Sequence, residues 1–136
     1  MSEIEKWSSA SIVISSQSMT AQEITNLLKI EPTEFHEKGA PLSKRNPNSR
    51  KREEHLWRLD SQLQQSEPLD KHLKNLIEII EIHARGFKKI ADCSSCEIFC
   101  GFSSGNGQGG FILDHNLLER ISKLPLDLVV DLYPPE

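Results

Sequence analysis

Residues 9–15, SASIVIS, alternate small polar side chains with apolar ones, the period-2 signature of a strand buried on one face. The run HLWRLDS (55–61) alternates in the same way, with Leu56, Arg58 and Asp60 on one side and Trp57 and Leu59 on the other. That spacing predicts a strand with Trp57 in the core. A third alternation sets Cys96, Ile98, Cys100 and Phe102 against Glu97, Phe99, Gly101 and Ser103. GFIL (110–113) and LVVDLY (128–133) supply two further short strands.

Helical spacing fills the intervals. Thr20-Ala-Gln-Glu23 reads as a capping box, in which the Thr20 hydroxyl accepts from the Glu23 amide and the Glu23 side chain reaches back. Ile24, Leu27 and Leu28 form the apolar stripe behind it, and Pro32 brings that helix to a stop. Pro68 opens the strongest pattern: Leu69, Leu73, Leu76, Ile77, Ile80, Ala84 and Phe87 predict one helix of about five turns, with Gly86 as a weak point or cap. Asp114 or Asn116 caps a third helix carrying Leu117, Leu118, Ile121 and Leu124, closed by Pro125. Between 31 and 54 nothing is periodic. Gly39, Pro41, Asn46, Pro47 and Asn48 mark that stretch as a long charged loop.

The resulting order, β-α-β-α-β-β-α-β, predicts a single α+β domain over residues 1–136. Its sheet is five-stranded, mixed but mostly antiparallel and covered by helices, with a ferredoxin-like variant as the nearest common form. A chain of 136 residues, 37% hydrophobic and 26% charged, has the size and composition of one folded domain. No run approaches the roughly 18 apolar residues of a membrane helix. The start, MSEIEKW, lacks the basic-then-apolar layout of a secretory signal. Three cysteines, an odd number, suit reduced thiols better than a disulfide framework, so a cytoplasmic setting is expected.

Charge alters this picture. The net charge is −4, yet KRNPNSRKR (44–52) carries five positive charges and no negative ones, so the remainder sums to −9. Such an acidic body favours a basic partner over nucleic acid.

Candidate chemistry is thin. Five of the seven glycines fall in GFSSGNGQGGFIL (101–113). A phosphate-cradling loop needs its glycines between a strand and a helix N-terminus, whereas these lie between two strand-like runs and lack the Lys-Ser/Thr of a P-loop. Asn106-Gly107 instead predicts a tight hairpin turn. Cys93-x-x-Cys96-x-x-x-Cys100 resembles a ligand set, but on a strand Cys96 and Cys100 lie about 13 Å apart and cannot share an ion. Both read as small buried hydrophobes, with Cys93 alone as an exposed thiol. His36, His55, His72, His83 and His115 are scattered; His72 and His83 flank the apolar helix stripe. No cofactor and no metal are expected. The residues that remain as partner-binding candidates are His36, Lys38, Lys44, Arg45, Arg50, Lys51 and Arg52.

TAQEITNLLKIEPTEFHEKG (20–39), the LW of LWRLDS (56–61), the long Leu/Ile helix and the closing VVDLY (129–133) together resemble the bacterial family called domain of unknown function 4279. The similarity spans nearly the whole chain, and its marks are structural. The resemblance implies no catalytic residues.

The expectation is therefore a non-enzymatic cytoplasmic binding protein, more sharply an immunity protein or small inhibitor that neutralises a basic toxin. One alternative is a nucleic-acid or anionic-ligand module working through the basic stretch 44–52. Another is an enzyme whose site is assembled from distant residues such as His36, His55 and Glu54. No membrane association is expected.

Overall fold

A computed structural model describes residues 6–134. β1 (Trp7–Ser16) is the central strand, paired antiparallel on one side with β5 (His55–Asp60) and on the other with β6 (Ser95–Ser103). Its alternation works as the sequence predicts: Ser8, Ala10, Ile12, Ile14 and Ser16 are buried, while the residues between them stay partly open. β2 (Glu34–His36) adds antiparallel to β5, and β7 (Asp127–Leu132) adds parallel to β6. The sheet therefore runs β2-β5-β1-β6-β7, mixed but mostly antiparallel. Within it, the order β2-β5-β1-β6 around α1 and α2 is consistent with the ferredoxin-like variant, extended by one parallel strand.

All four helices contribute to the one core cluster on a single face. α1 (Ala21–Leu28) begins with the capping box at Thr20 and Glu23, both halves formed. It ends before Pro32, at Lys29, whose φ of 58° is left-handed. α2 (Leu69–Ile82) and α3 (Ala84–Ala91) replace the single long helix expected, because the chain breaks at His83 with φ −108° and ψ 32°. Gly86 is no cap: it lies inside α3, where a Cβ would come 2.9 Å from Leu28 Cδ2, so its bareness lets α1 and α3 approach. α4 (His115–Ser122) is capped by Asp114, whose Oδ1 accepts from the Leu117 amide at 2.8 Å. Trp57 is fully buried, and its Nε1 donates to Thr25 Oγ1 at 3.0 Å, tying α1 to the sheet.

Two segments differ from expectation. Residues 31–54 are not loop throughout: besides β2 they form a small hairpin of β3 (Pro41–Ser43) and β4 (Asn46–Lys51). This hairpin is solvated on almost every residue, so no apolar alternation announces it. Its turn is Lys44-Arg45, neither with positive φ, and the register shifts between Pro41 and Ser43. GFIL, in turn, is not a strand. Phe111 and Leu113 pack on the core and Ile112 is exposed, so the alternation reflects a loop laid along the core edge. Since β7 lies parallel to β6, residues 104–114 join strand β6 to helix α4, and Asn106-Gly107 belongs to that crossover rather than to a hairpin.

Candidate functional site

The sheet face opposite the helices carries no helix among the described residues. Register defines which side chains share it. Asp60 lies opposite Ser11, which lies opposite Phe99; Arg58 lies opposite Val13 and Glu34. Glu97 lies opposite Val13 and beside Asp127, and Gly101 lies beside Asp131. Among the described residues of the five-stranded sheet, Arg58 is the one Lys or Arg on this face beside Glu34, Asp60, Glu97, Asp127 and Asp131.

The two halves of the face differ. On the β2–β5 side, Arg58 Nη1 contacts Glu34 Oε2 at 2.5 Å and Arg58 Nε contacts Asp60 Oδ1 at 2.9 Å. The Ser11 hydroxyl donates to the same Asp60 oxygen at 2.6 Å. His36 Nε2 lies 2.8 Å from Glu34 Oε1. That hydrogen bond, then the Arg58 guanidinium, hold the Glu34 carboxyl below its usual range, and Lys44 adds to the field. On the β6–β7 side no such compensation exists: among the described residues Glu97, Asp127 and Asp131 join no ion pair. The Asp131 carboxylate instead acts on the neighbouring Tyr133, raising the Tyr133 pKa. Tyr133 also stacks on Trp7, ring centroids 5.1 Å apart. The result is an acidic surface with an aromatic corner.

The seven candidate binding residues do not converge on one point. His36 belongs to this open face, and Lys44 and Arg45 form the tip of the β3–β4 hairpin. Arg50, Lys51 and Arg52 line a hollow of about 280 Å³ together with Glu53, Glu54 and His55. Arg52 Nε is buried there without a hydrogen-bond partner, while Arg50 pairs with Glu53 at 3.2 Å. Lys38 contributes its amide, which donates to His55 Nδ1 at 2.9 Å. Glu37 Oε1 lies 2.9 Å from that nitrogen and accepts from the Ala21 amide at 2.8 Å.

The distant constellation of His36, His55 and Glu54 is not assembled. His55 follows the core-side register of Trp57 and Leu59, and His36 follows the open-face register of Leu56. The two imidazoles are on opposite sides of the sheet. His72, expected on the flank of a helix stripe, is 1% exposed, with Nδ1 2.5 Å from Ser61 Oγ. Its Nε2 is buried without a hydrogen-bond partner, and burial lowers its pKa. Cys96 and Cys100 are buried, their thiols pushed up to about 11 and about 12 by desolvation, whereas Cys93 is exposed. The glycine-rich stretch does lie between a strand and a helix, but α4 starts only at His115, and the Leu117 amide in its first turn is taken by Asp114. That carboxylate sits where an anion would bind.

The acidic face itself lies outside the candidate set read from sequence. Two-residue spacing puts Arg58 with Asp60, and Glu97 with Phe99, on one side of their own strands, but only strand pairing reveals that the two strands present them on one surface. Among the described residues, no helix is long and apolar enough to cross a membrane, and no cluster of three or more metal-ligating side chains occurs. Residues 5–135 match the family described as Domain of unknown function (DUF4279). No curated protein and no solved structure matches the chain.

Proposed function

The chain belongs to the DUF4279 family, and on that premise we propose that it is a non-enzymatic binding protein of the bacterial cytoplasm that recognises a basic protein. In its sharpest form it is an immunity protein, or a similar small inhibitor, that neutralises a toxin. The observation that supports this reading is the open sheet face, where Glu97, Asp127 and Asp131 have no ion-pair partner among the described residues and lie beside Val13, Phe99, Val129 and the Trp7–Tyr133 corner. Uncompensated carboxylates steer a basic partner into encounter, and the apolar and aromatic groups among them supply contact area. The β3–β4 hairpin, with Lys44 and Arg45 at its tip, borders the other half and adds a discriminating charge of opposite sign. Co-expression with the product of each adjacent gene tests the reading: one of them forms a tight complex and loses its toxicity. Failure of every neighbour to bind or be neutralised overturns it.

A second reading has one observation in its favour, the buried and unpartnered Arg52 Nε beside Arg50 and Lys51. On this reading the hollow takes an anionic group, free or nucleic-acid-borne. Affinity then falls steeply with salt and drops when Lys44, Arg45, Arg50, Lys51 and Arg52 become alanine. Salt-independent binding excludes it.

A further inference from the structure

β7 closes one end of the sheet, and its backbone is half used. The Tyr133 amide donates to the Phe102 carbonyl at 2.8 Å, which puts the odd-numbered positions of this segment on the β6 side. Because alternate residues of a strand direct N–H and C=O to opposite edges, those of Leu128, Val130 and Leu132 point outward. Among the described residues no other backbone group reaches them. Edge strands are usually kept short, or blunted by Pro, Lys or a bulge. β2, at the far edge, follows that rule with three residues. β7 does not: six residues, DLVVDL, in unbroken register and without Pro or Lys.

Beside this edge lies an apolar groove of about 620 Å³ lined by Phe102, Phe111, Val130 and Leu132. The glycine-rich crossover forms its rim, where Gly107 and Gly109 hold φ of 80° and 103° and leave the backbone bare. A Cβ at Gly110 would meet nothing within 4 Å, and the Gly110 carbonyl accepts from Lys6 Nζ at 3.1 Å at one end of the rim. Leu132 is 65% exposed in it. On the opposite side of the same strand stand Asp127 and Asp131, neither joined to a cation among the described residues.

We infer that β7 is a docking edge to which a partner protein adds an extended segment alternating Lys or Arg with large apolar residues. The inference deepens the proposed recognition of a basic partner and rests on it. Each feature dictates part of the pattern. The outward amides require a strand. The groove accepts every second side chain as apolar, and the two aspartates take the intervening ones as cations. A second copy of this chain fits poorly, because pairing β7 with β7 brings like charges together across the new ladder.

The test uses a synthetic peptide of about eight residues alternating lysine and leucine, with an alternating glutamate–leucine peptide as control. Binding is followed by fluorescence polarisation and by amide hydrogen exchange on the intact protein. The lysine peptide binds and slows exchange at Leu128, Val130 and Leu132, while the glutamate peptide does not bind. N-methylating alternate peptide amides in one phase abolishes binding and in the other leaves it, an outcome independent of any effect of mutation on folding. Asp127→Lys with Asp131→Lys weakens binding by about tenfold or more. Equal binding of both peptides, indifference to N-methylation phase, or exchange slowed at these amides by self-association alone overturns the inference. If a neighbouring gene product still binds after such a failure, the acidic-face reading stands. If the lysine peptide binds but no neighbour does, that reading falls alone.

Discussion

Trp7 lies across Gly101 on the open face of the sheet, so closely that a methyl group at position 101 would come 3.1 Å from the indole ring and 2.9 Å from the Ser9 hydroxyl. Both contacts are to side chains on the strand next door, so the glycine is there for close approach rather than for an unusual φ. Gly101→Ala is expected to swing Trp7 away from Tyr133 and to cost about 1–3 kcal/mol. Tryptophan fluorescence and urea midpoints report both effects. Gly110→Ala, with open space around it, serves as the neutral comparison.

Trp57 and Thr25 offer a second test, of how α1 is held to the sheet. The indole is fully buried, and its Nε1 has the Thr25 hydroxyl as its acceptor at 3.0 Å. Thr25→Val leaves a buried donor unsatisfied and is expected to destabilise by about 1–3 kcal/mol. Trp57→Phe is expected to cost more, because a cavity is added. In the double variant the two losses are less than additive, since the orphaned donor is gone. Strict additivity in denaturant titrations speaks against the bond.

His72 links stability to pH. Burial lowers its pKa from the ordinary 6.5, so below that value the unfolded chain binds a proton that the folded one resists. The contribution is intact above pH 6.5 and is lost as pH falls through the lower folded-state value. Glu34 and Glu81 act in the same direction at lower pH, both held below 4.5, by His36 with Arg58 and by Arg120 respectively. His72→Leu is therefore expected to flatten the decline just below pH 6.5 while leaving the steeper carboxylate limb. Thermal melts across that range check it.

Thiol chemistry separates the three cysteines. Cys93 is exposed and reacts with a thiol reagent in the native protein. Cys96 and Cys100, buried with thiols raised to about 11 and about 12, react only on unfolding. Rapid native labelling of all three contradicts the packing assigned to β6.

The strands that carry the core were legible because burial on one face imposes a period of two. Ile12, Ile14, Trp57, Leu59, Ile98 and Cys100 are where alternation puts them. The Thr20 capping box was legible for a local reason, since its partners are three residues apart. What escaped was set by long-range pairing or by solvation. β2 exists through its ladder with β5, and the β3–β4 hairpin buries too little to leave a pattern. The break at His83 has no proline or glycine to mark it. Phe111 and Leu113 show the converse error, in which alternation arises from a loop laid along the core. The acidic face was invisible for the same reason as β2: Asp60, Glu97 and Asp131 come from strands remote in sequence and share a surface only through register.

Binding of the partner found among the adjacent gene products, measured by calorimetry for the wild type and for Glu97→Lys with Asp131→Lys, tests the proposed recognition most directly. Reversal of these two open-face charges is expected to weaken the complex by at least about tenfold and to flatten its salt dependence. An affinity and salt dependence unchanged by the reversal would contradict a basic partner docked on the open sheet.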